Sequence, residues 1–240
     1  MAKLNQDWVV QPHGAMVEVD DGIWTVAGNI VMPLGKFPRR MTIVALAEGG
    51  AVIWSAIPLG EPEMARIEAI GTPRFLIVPN AGHRADVGAW HRRYPEAKII
   101  APPSAREAVG EAAPVDATDD IIGDPAIRFE RIAGTKEDEF ALLVDRGGRV
   151  TLILNDILSN VRHPEGIGAN IMARLFGFGV KRPRTSRPVR RAFVEAGAAV
   201  AAQFRCWAAL PGLTRIIVSH GDVIDADPAG ALEQAASDYD

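Results

Sequence analysis

Cysteine is almost missing from this chain. Cys206 is the only one among 240 residues, so a disulfide framework and a cysteine-built zinc site are both excluded. A reducing cytoplasm is then the simplest compartment. Long apolar runs are missing too, and none is long enough to cross a bilayer. No N-terminal stretch pairs a basic start with an apolar run, so no secretory signal is expected. Positive charge is not in excess: the net charge is −4, which argues against a surface built as a whole for nucleic acid. No GxGxxG or P-loop stands at a strand–helix turn, and nucleotide binding by those routes has no support. Short repeats and an obvious interdomain linker are absent as well.

What is present is ordinary globular composition, 48% hydrophobic and 23% charged. The length suffices to bury a sizeable core, and a single domain over residues 1–240 is expected. The order of elements carries more information. "MVEVDDGIWTVAGNIV" reads as strands around an Asp20-Asp21-Gly22 turn. "MTIVALAEGGAVIWSAIP" reads as a hairpin turning at Glu48-Gly49-Gly50. "EPEMARIEAIG" has helical spacing and stops on Gly71. "RFLIVP" is a buried strand, "RADVGAWHRRYP" a helix of about three turns, "AKIIAPP" a strand, and "SAREAVG" a short helix capped by Ser104. Strands return in "AIRFERIAG" and in "EFALLVDRGGRVTLILND", which turns at Asp145-Arg146-Gly147-Gly148. "PVRRAFVEAGAAVAAQFRCWAAL" reads as the longest helix, "TRIIVSHGD" as a late strand, and "DPAGALEQAASDY" as a helix capped by Asp227. Two mixed sheets packed face to face with helices outside accommodate this order. Residues 159–188, rich in Gly, Pro and Arg, read as an insertion or lid.

Four polar residues stand at the ends of apolar strands. His83 and Asp86 follow "FLIVP", Asp156 follows "VTLILN", and His220 follows "RIIVS". Taken singly, each has a plain reading as a loop histidine or a turn-capping aspartate. As a set, two imidazoles and two carboxylates are suitable ligands for one divalent zinc, iron or manganese ion, and such an ion makes a water nucleophilic near neutral pH. His83 and Asp86 are the candidates for catalysis, with histidine available as a base. The basic residues of the insertion, Arg182 and Arg184 among them, suit a carboxylate or phosphate group, and His163 reaches a pocket if the segment folds over it. The plain reading of these cations is a solvated face, or pairing with Glu137, Asp138 and Glu139. The apolar "IMARLFGFGV" inside the insertion is expected to be a lid or a partner contact, a homodimer contact included. His91 is expected on the solvent side of its helix and His13 in a solvated loop. Cys206 is expected to be buried and inert, and Trp24, Trp54 and Trp90 in the core.

These motifs together resemble the metallo-β-lactamase-like hydrolase fold, over about Val17 to Val223. The resemblance implies an α/β four-layer αββα sandwich of two mixed β-sheets flanked by helices. "GIWTVAGNIV…MTIVALAEGGAVIWSA" resembles that family's first sheet, where a hairpin ends in Asp-x-Gly; here the end is "WSAIPL" and the Asp is absent. Its His-x-His-x-Asp-His motif falls on Ala81, His83, Ala85 and Asp86. Its next histidine falls on Thr135, its bridging aspartate on Asp156, and its last histidine on His220. The two-metal centre that the family implies would lose donors at Ala81, Ala85 and Thr135. What the resemblance leaves is at most one ion on His83, Asp86, Asp156 and His220, or an empty site in which the histidines hydrogen-bond the carboxylates. The expected function is hydrolysis of a small anionic ester or lactone. The alternative is a fold kept to bind a ligand or partner without catalysis.

Overall fold

The structure is a computed structural model that describes residues 4–32, 35–136 and 139–240. The chain divides into two compact units, Met1–Asn29 with Arg40–Pro125, and Ile30–Arg39 with Ala126–Asp240. Each has its own apolar core.

The first sheet has six strands in sequence order: β1 (His13–Asp20), β2 (Ile23–Met32), β3 (Gly35–Ala45), β4 (Ala51–Trp54), β5 (Pro73–Ile77) and β6 (Lys98–Ile100). β1 and β2 pair antiparallel, as do β3 and β4, whereas β4–β5 and β5–β6 are parallel. The β3–β4 hairpin turns on Gly49 and Gly50, at φ 80° and 90°, a backbone that side chains rarely adopt. Parallel pairing requires crossovers, and helices supply them. α1 (Glu61–Ile70) buries Met64 and Ile67, and α2 (Val87–Arg93) buries Val87 and Trp90. Trp54 and Trp90 are fully buried, and Trp24 packs partly buried against the same core.

The second sheet runs in the order β10 (Leu213–Val218), β9 (Arg149–Leu154), β8 (Phe140–Arg146), β7 (Ile127–Arg131). The β8–β9 hairpin turns at Gly147 and Gly148, both at positive φ, and the Asp145 side chain accepts from the Gly148 amide. β9 and β10 are parallel, with Leu154 opposite Val218. α6 (Gly197–Ala208) covers this unit's core through Val200, Ala201, Phe204 and Trp207. The spacing is one helical stripe, and burying each large side chain contributes about 1.5–3 kcal/mol. α7 (Pro228–Ala236) is capped by Asp227, whose carboxylate accepts from the Gly230 amide at 2.9 Å.

Several expectations need correction. The long helix from Pro188 is two helices, α5 (Arg187–Phe193) and α6, broken at an extended Val194. The cause lies elsewhere in the chain: the Gly134 carbonyl takes the amides of Glu195 and Ala196, and Thr135 bridges Val194. Gly134 approaches so closely that a Cβ there would stand 2.3 Å from the Ala196 oxygen. α2 has 7 residues rather than three turns, because the helix begins only at Val87, after Asp86; Ala81–His83 form a separate 3-10 turn capped by Asn80. Ser104 does not cap α3 (Arg106–Gly110); it lies in a 3-10 turn over Pro103–Ala105. Cys206 is exposed, since it falls outside the buried stripe of α6. His91 is half-buried rather than solvent-facing, and His13 begins β1. The segment 159–188 contains a regular helix, α4 (Ile167–Phe176), ended by Gly177 in the left-handed conformation. Ile167, Ile171 and Leu175 are exposed on α4.

Candidate metal centre

In the second unit, strand register decides what meets. Leu154 of β9 and Val218 of β10 are paired in parallel, so the residues two places beyond each strand end, Asp156 and His220, stand side by side. His220 Nε2 lies 2.8 Å from Asp156 Oδ1. Its other ring nitrogen, Nδ1, lies 2.7 Å from the Pro38 carbonyl oxygen. A carbonyl only accepts, so Nδ1 carries a hydrogen and donates it. Nε2 is then either a lone pair, or a second donor to the Asp156 carboxylate. His220 is 6% exposed. That burial works against a charged ring, but the Asp156 carboxylate and the Pro38 carbonyl outweigh it, and the His220 pKa is raised above its ordinary value. The Phe37 ring closes the other side at 4.7 Å between centroids.

The turn after His220 is fixed by backbone. The Asn160 amide donates to the His220 carbonyl at 3.0 Å, and the Asp222 amide to the Asn160 carbonyl at 2.9 Å. Gly221 sits between them at φ 114°, where a Cβ would stand 2.0 Å from the Asn160 oxygen. No other residue fits this approach. Beside Asp156, the Asn155 side chain is fully buried, and neither of its amide atoms has a hydrogen-bond partner among the described residues.

In the first unit, the loop after β5 carries His83 and Asp86. His83 is half-buried and its Nδ1 lies 2.6 Å from the Ser55 hydroxyl. Ser55 follows β4 directly and holds φ 55°, the one non-glycine residue at positive φ among those described. Such backbone costs on the order of 1–3 kcal/mol and gathers at functional positions. Asp86 is 3% exposed and accepts from the Asn5 side-chain amide at 2.8 Å. The Asn5 backbone amide donates to the Ala85 carbonyl at 2.7 Å, so the N-terminal segment is clamped to this turn. Arg84 is buried as well, donating to the Ala81 carbonyl at 2.7 Å.

The other expected residues are placed as follows. Arg182 ion-pairs with Asp238 and donates to the Gln234 carbonyl at 3.0 Å. Arg184 Nε lies 3.6 Å from Asp238 as well, and its backbone bridges Ser159. His163 is an exposed side chain with Nδ1 3.1 Å from Asp222. Of the acidic partners named for this segment, Glu137 and Asp138 lie outside the described residues. The Glu139 carboxylate accepts from the Ile157 amide at 2.8 Å. Ser55, Phe37 and Pro38 escaped the sequence reading. Only Ser55 left a signal, as the polar residue ending "VIWS" where the resembled family has its Asp-x-Gly.

No protein-family profile and no curated protein sequence matches the chain. Solved structures do. The metallo-β-lactamase FIM-1 from Pseudomonas aeruginosa, in its mono-zinc form, superposes with a TM-score of 0.62 at 14% identity, over 98% of this chain and 97% of that one. A metallo-β-lactamase from Hirschia baltica gives 0.61 at 14% identity over 92% and 97%, and one from Erythrobacter litoralis 0.60 at 14% over 93% and 96%. At such identity the likeness establishes the fold: a divergent metallo-β-lactamase-like α/β sandwich, two mixed sheets with helices outside.

Proposed function

We propose that the chain is a single-ion metallohydrolase in which His83, Asp156 and His220 hold one divalent zinc, iron or manganese ion, acting on a small anionic ester or lactone. The observation that carries the reading is the Asp156–His220 pair at neighbouring strand ends, 2.8 Å apart with the imidazole already oriented by Pro38. The donor types fit an ion: imidazole and carboxylate are ligands that zinc, iron and manganese all accept. Three protein ligands leave a position for water. The mono-zinc form of FIM-1 makes one ion compatible with the fold. Bound there, the ion would supply a water ionised near neutral pH.

The chain's own residues would do the rest. Pro38 holds a hydrogen on His220 Nδ1, which leaves Nε2 as the ligand atom. The Ser55 hydroxyl, 2.6 Å from His83 Nδ1, would take the same role for His83, with that ring's Nε2 as the ligand atom. Such outer hydrogen bonds commonly fix the tautomer of a ligating histidine. The part given to Asp86 in this reading is to fix the turn that carries His83, through Asn5. The exposed cations Arg174, Lys181 and Arg191 supply the attraction for an anionic substrate.

A second reading is favoured by the same 2.8 Å contact, because an Asp156–His220 ion pair is complete without an ion. The protein is then a metal-free binder. Hydrolysis of small anionic esters and lactones after chelation, and after return of zinc, manganese or iron, tests the choice. Turnover lost with the ion, regained with it, and absent in Asp156→Ala is the expected result. No uptake and no turnover would leave the second reading.

A further inference from the structure

The second unit contains a cavity of about 410 Å³, within the range of small-molecule sites. Its walls are almost wholly apolar. Phe37 and Pro38, Met172, Ala173 and Phe176 of α4, and Phe178 line it. The aromatic rings are keyed together: Phe37 and Phe178 meet edge to face at 4.8 Å, and Phe178 reaches Phe176 at 6.4 Å. The chain past α4 is pinned, because the Val161 amide donates to the Phe178 carbonyl and the Phe178 amide to the Ala173 carbonyl, both at 2.9 Å. The charged residue of the lining is Lys36, which forms an exposed ion pair with Glu165 at 3.0 Å.

Two of the wall residues are also the partners of His220. Phe37 stacks on its ring at 4.7 Å, and the Pro38 carbonyl accepts from its Nδ1. The apolar cavity and the Asp156–His220 pair therefore share a wall. An apolar, ring-lined cavity that shares Phe37 and Pro38 with a polar centre suits a ligand with one apolar end and one polar end. We infer that this cavity takes the apolar tail, an alkyl chain or aromatic ring, of the substrate whose polar head reaches His220 and Asp156. The inference rests on the site proposed above and narrows the substrate to an amphiphilic ester or lactone.

Binding is tested apart from hydrolysis. Chelated protein is titrated calorimetrically with butanoate, hexanoate, octanoate and decanoate. Each methylene that enters the cavity should tighten binding about fourfold, the factor that corresponds to about 0.8 kcal/mol per buried methylene. Met172→Trp should fill the cavity and flatten the series. Met172→Ala should enlarge it and extend the series to longer chains, which covers the case in which the tryptophan variant does not fold. Affinity independent of chain length, or a series unchanged in a folded Met172 variant, would overturn the inference. So would a dimer in solution that binds no alkyl probe, since a second copy would then be the occupant. Chain-length-dependent binding by a protein that never hydrolyses an ester would sustain the cavity and sink the hydrolase. Hydrolysis with no chain-length dependence would do the reverse.

Discussion

Replacing Asp156 by Asn in the metal-free protein changes one charge and almost no volume, and the structure gives its cost a size and a pH dependence. His220 and Asp156 meet at 2.8 Å with side-chain exposures of 8% and 17%. A hydrogen bond to a charged group contributes about 1.5–3 kcal/mol. The solvent left around Asp156 places the expected loss near the lower end, about 1.5–2 kcal/mol by the same scale. In a chain of this size that lowers Tm by about 3–8 °C. The His220 pKa is raised in the fold, above an unfolded value of about 6.5. A raised pKa contributes stability that is fully present below the unfolded value and is lost as pH rises through the folded one. The Asn variant should therefore be penalised in full at about pH 6 and progressively less toward about pH 9. Urea unfolding of both proteins after chelation, at those two pH values, measures it. Equal penalties, or a larger one at the higher pH, would mean that the pair is not ionic, and the reasoning would fail.

Ser55→Ala removes the hydroxyl that holds His83 Nδ1; metal affinity should fall about 10–100-fold, read by competition with a chromogenic chelator, while the melting temperature changes little. Gly221→Ala forces a Cβ to within 2.0 Å of the Asn160 oxygen at φ 114°; a loss of at least about 1–3 kcal/mol from the backbone alone should appear in thermal melts, together with weaker metal uptake as His220 is displaced. The Cys206 thiol, exposed on α6, should react with a dithiobis-nitrobenzoate reagent in the native protein as readily as in the unfolded one. Protection of that thiol would place it in a contact between copies.

What the sequence shows is set by how local each feature is. Asp156 and His220 were legible because apolar runs end just before them, and the β9–β10 register then carries both to one place. The β8–β9 turn and the Asp227 cap were legible because glycine and aspartate side chains act within three or four residues. The break at Val194 was not, because its cause is Gly134, some sixty residues earlier, and in "VRRAFVEAGAAV" only Gly197, beyond the break, weakens a helix. Cys206 was misplaced because composition says which residues are apolar but not which face of α6 the core takes. The most consequential omission is Pro38. Its carbonyl orients His220 across 182 positions of chain, and a backbone acceptor leaves no trace in residue identity. The same holds for the cavity, whose walls come from two distant segments. Within α4, the alternation between Ile167, Ile171 and Leu175 on one side and Met172, Ala173 and Phe176 on the other becomes visible only once the helix is known.

The departures at Ala81, Ala85 and Thr135 gain a physical sense from the structure. Thr135 is used elsewhere, its hydroxyl donating to the Ile132 carbonyl at 2.7 Å. Ala81 is partly buried against the core of the first unit. Ala81 and Thr135 serve packing and turn formation, and the proposal leaves the metal to His83, Asp156 and His220.

Metal content is the most direct measurement of that claim. Protein purified without added metal, dialysed against zinc, manganese or iron and then against buffer, should retain one ion per chain by elemental analysis, and Asp156→Ala should retain none. Retention of two ions, or of none by the unaltered chain, would contradict a single-ion centre on His83, Asp156 and His220.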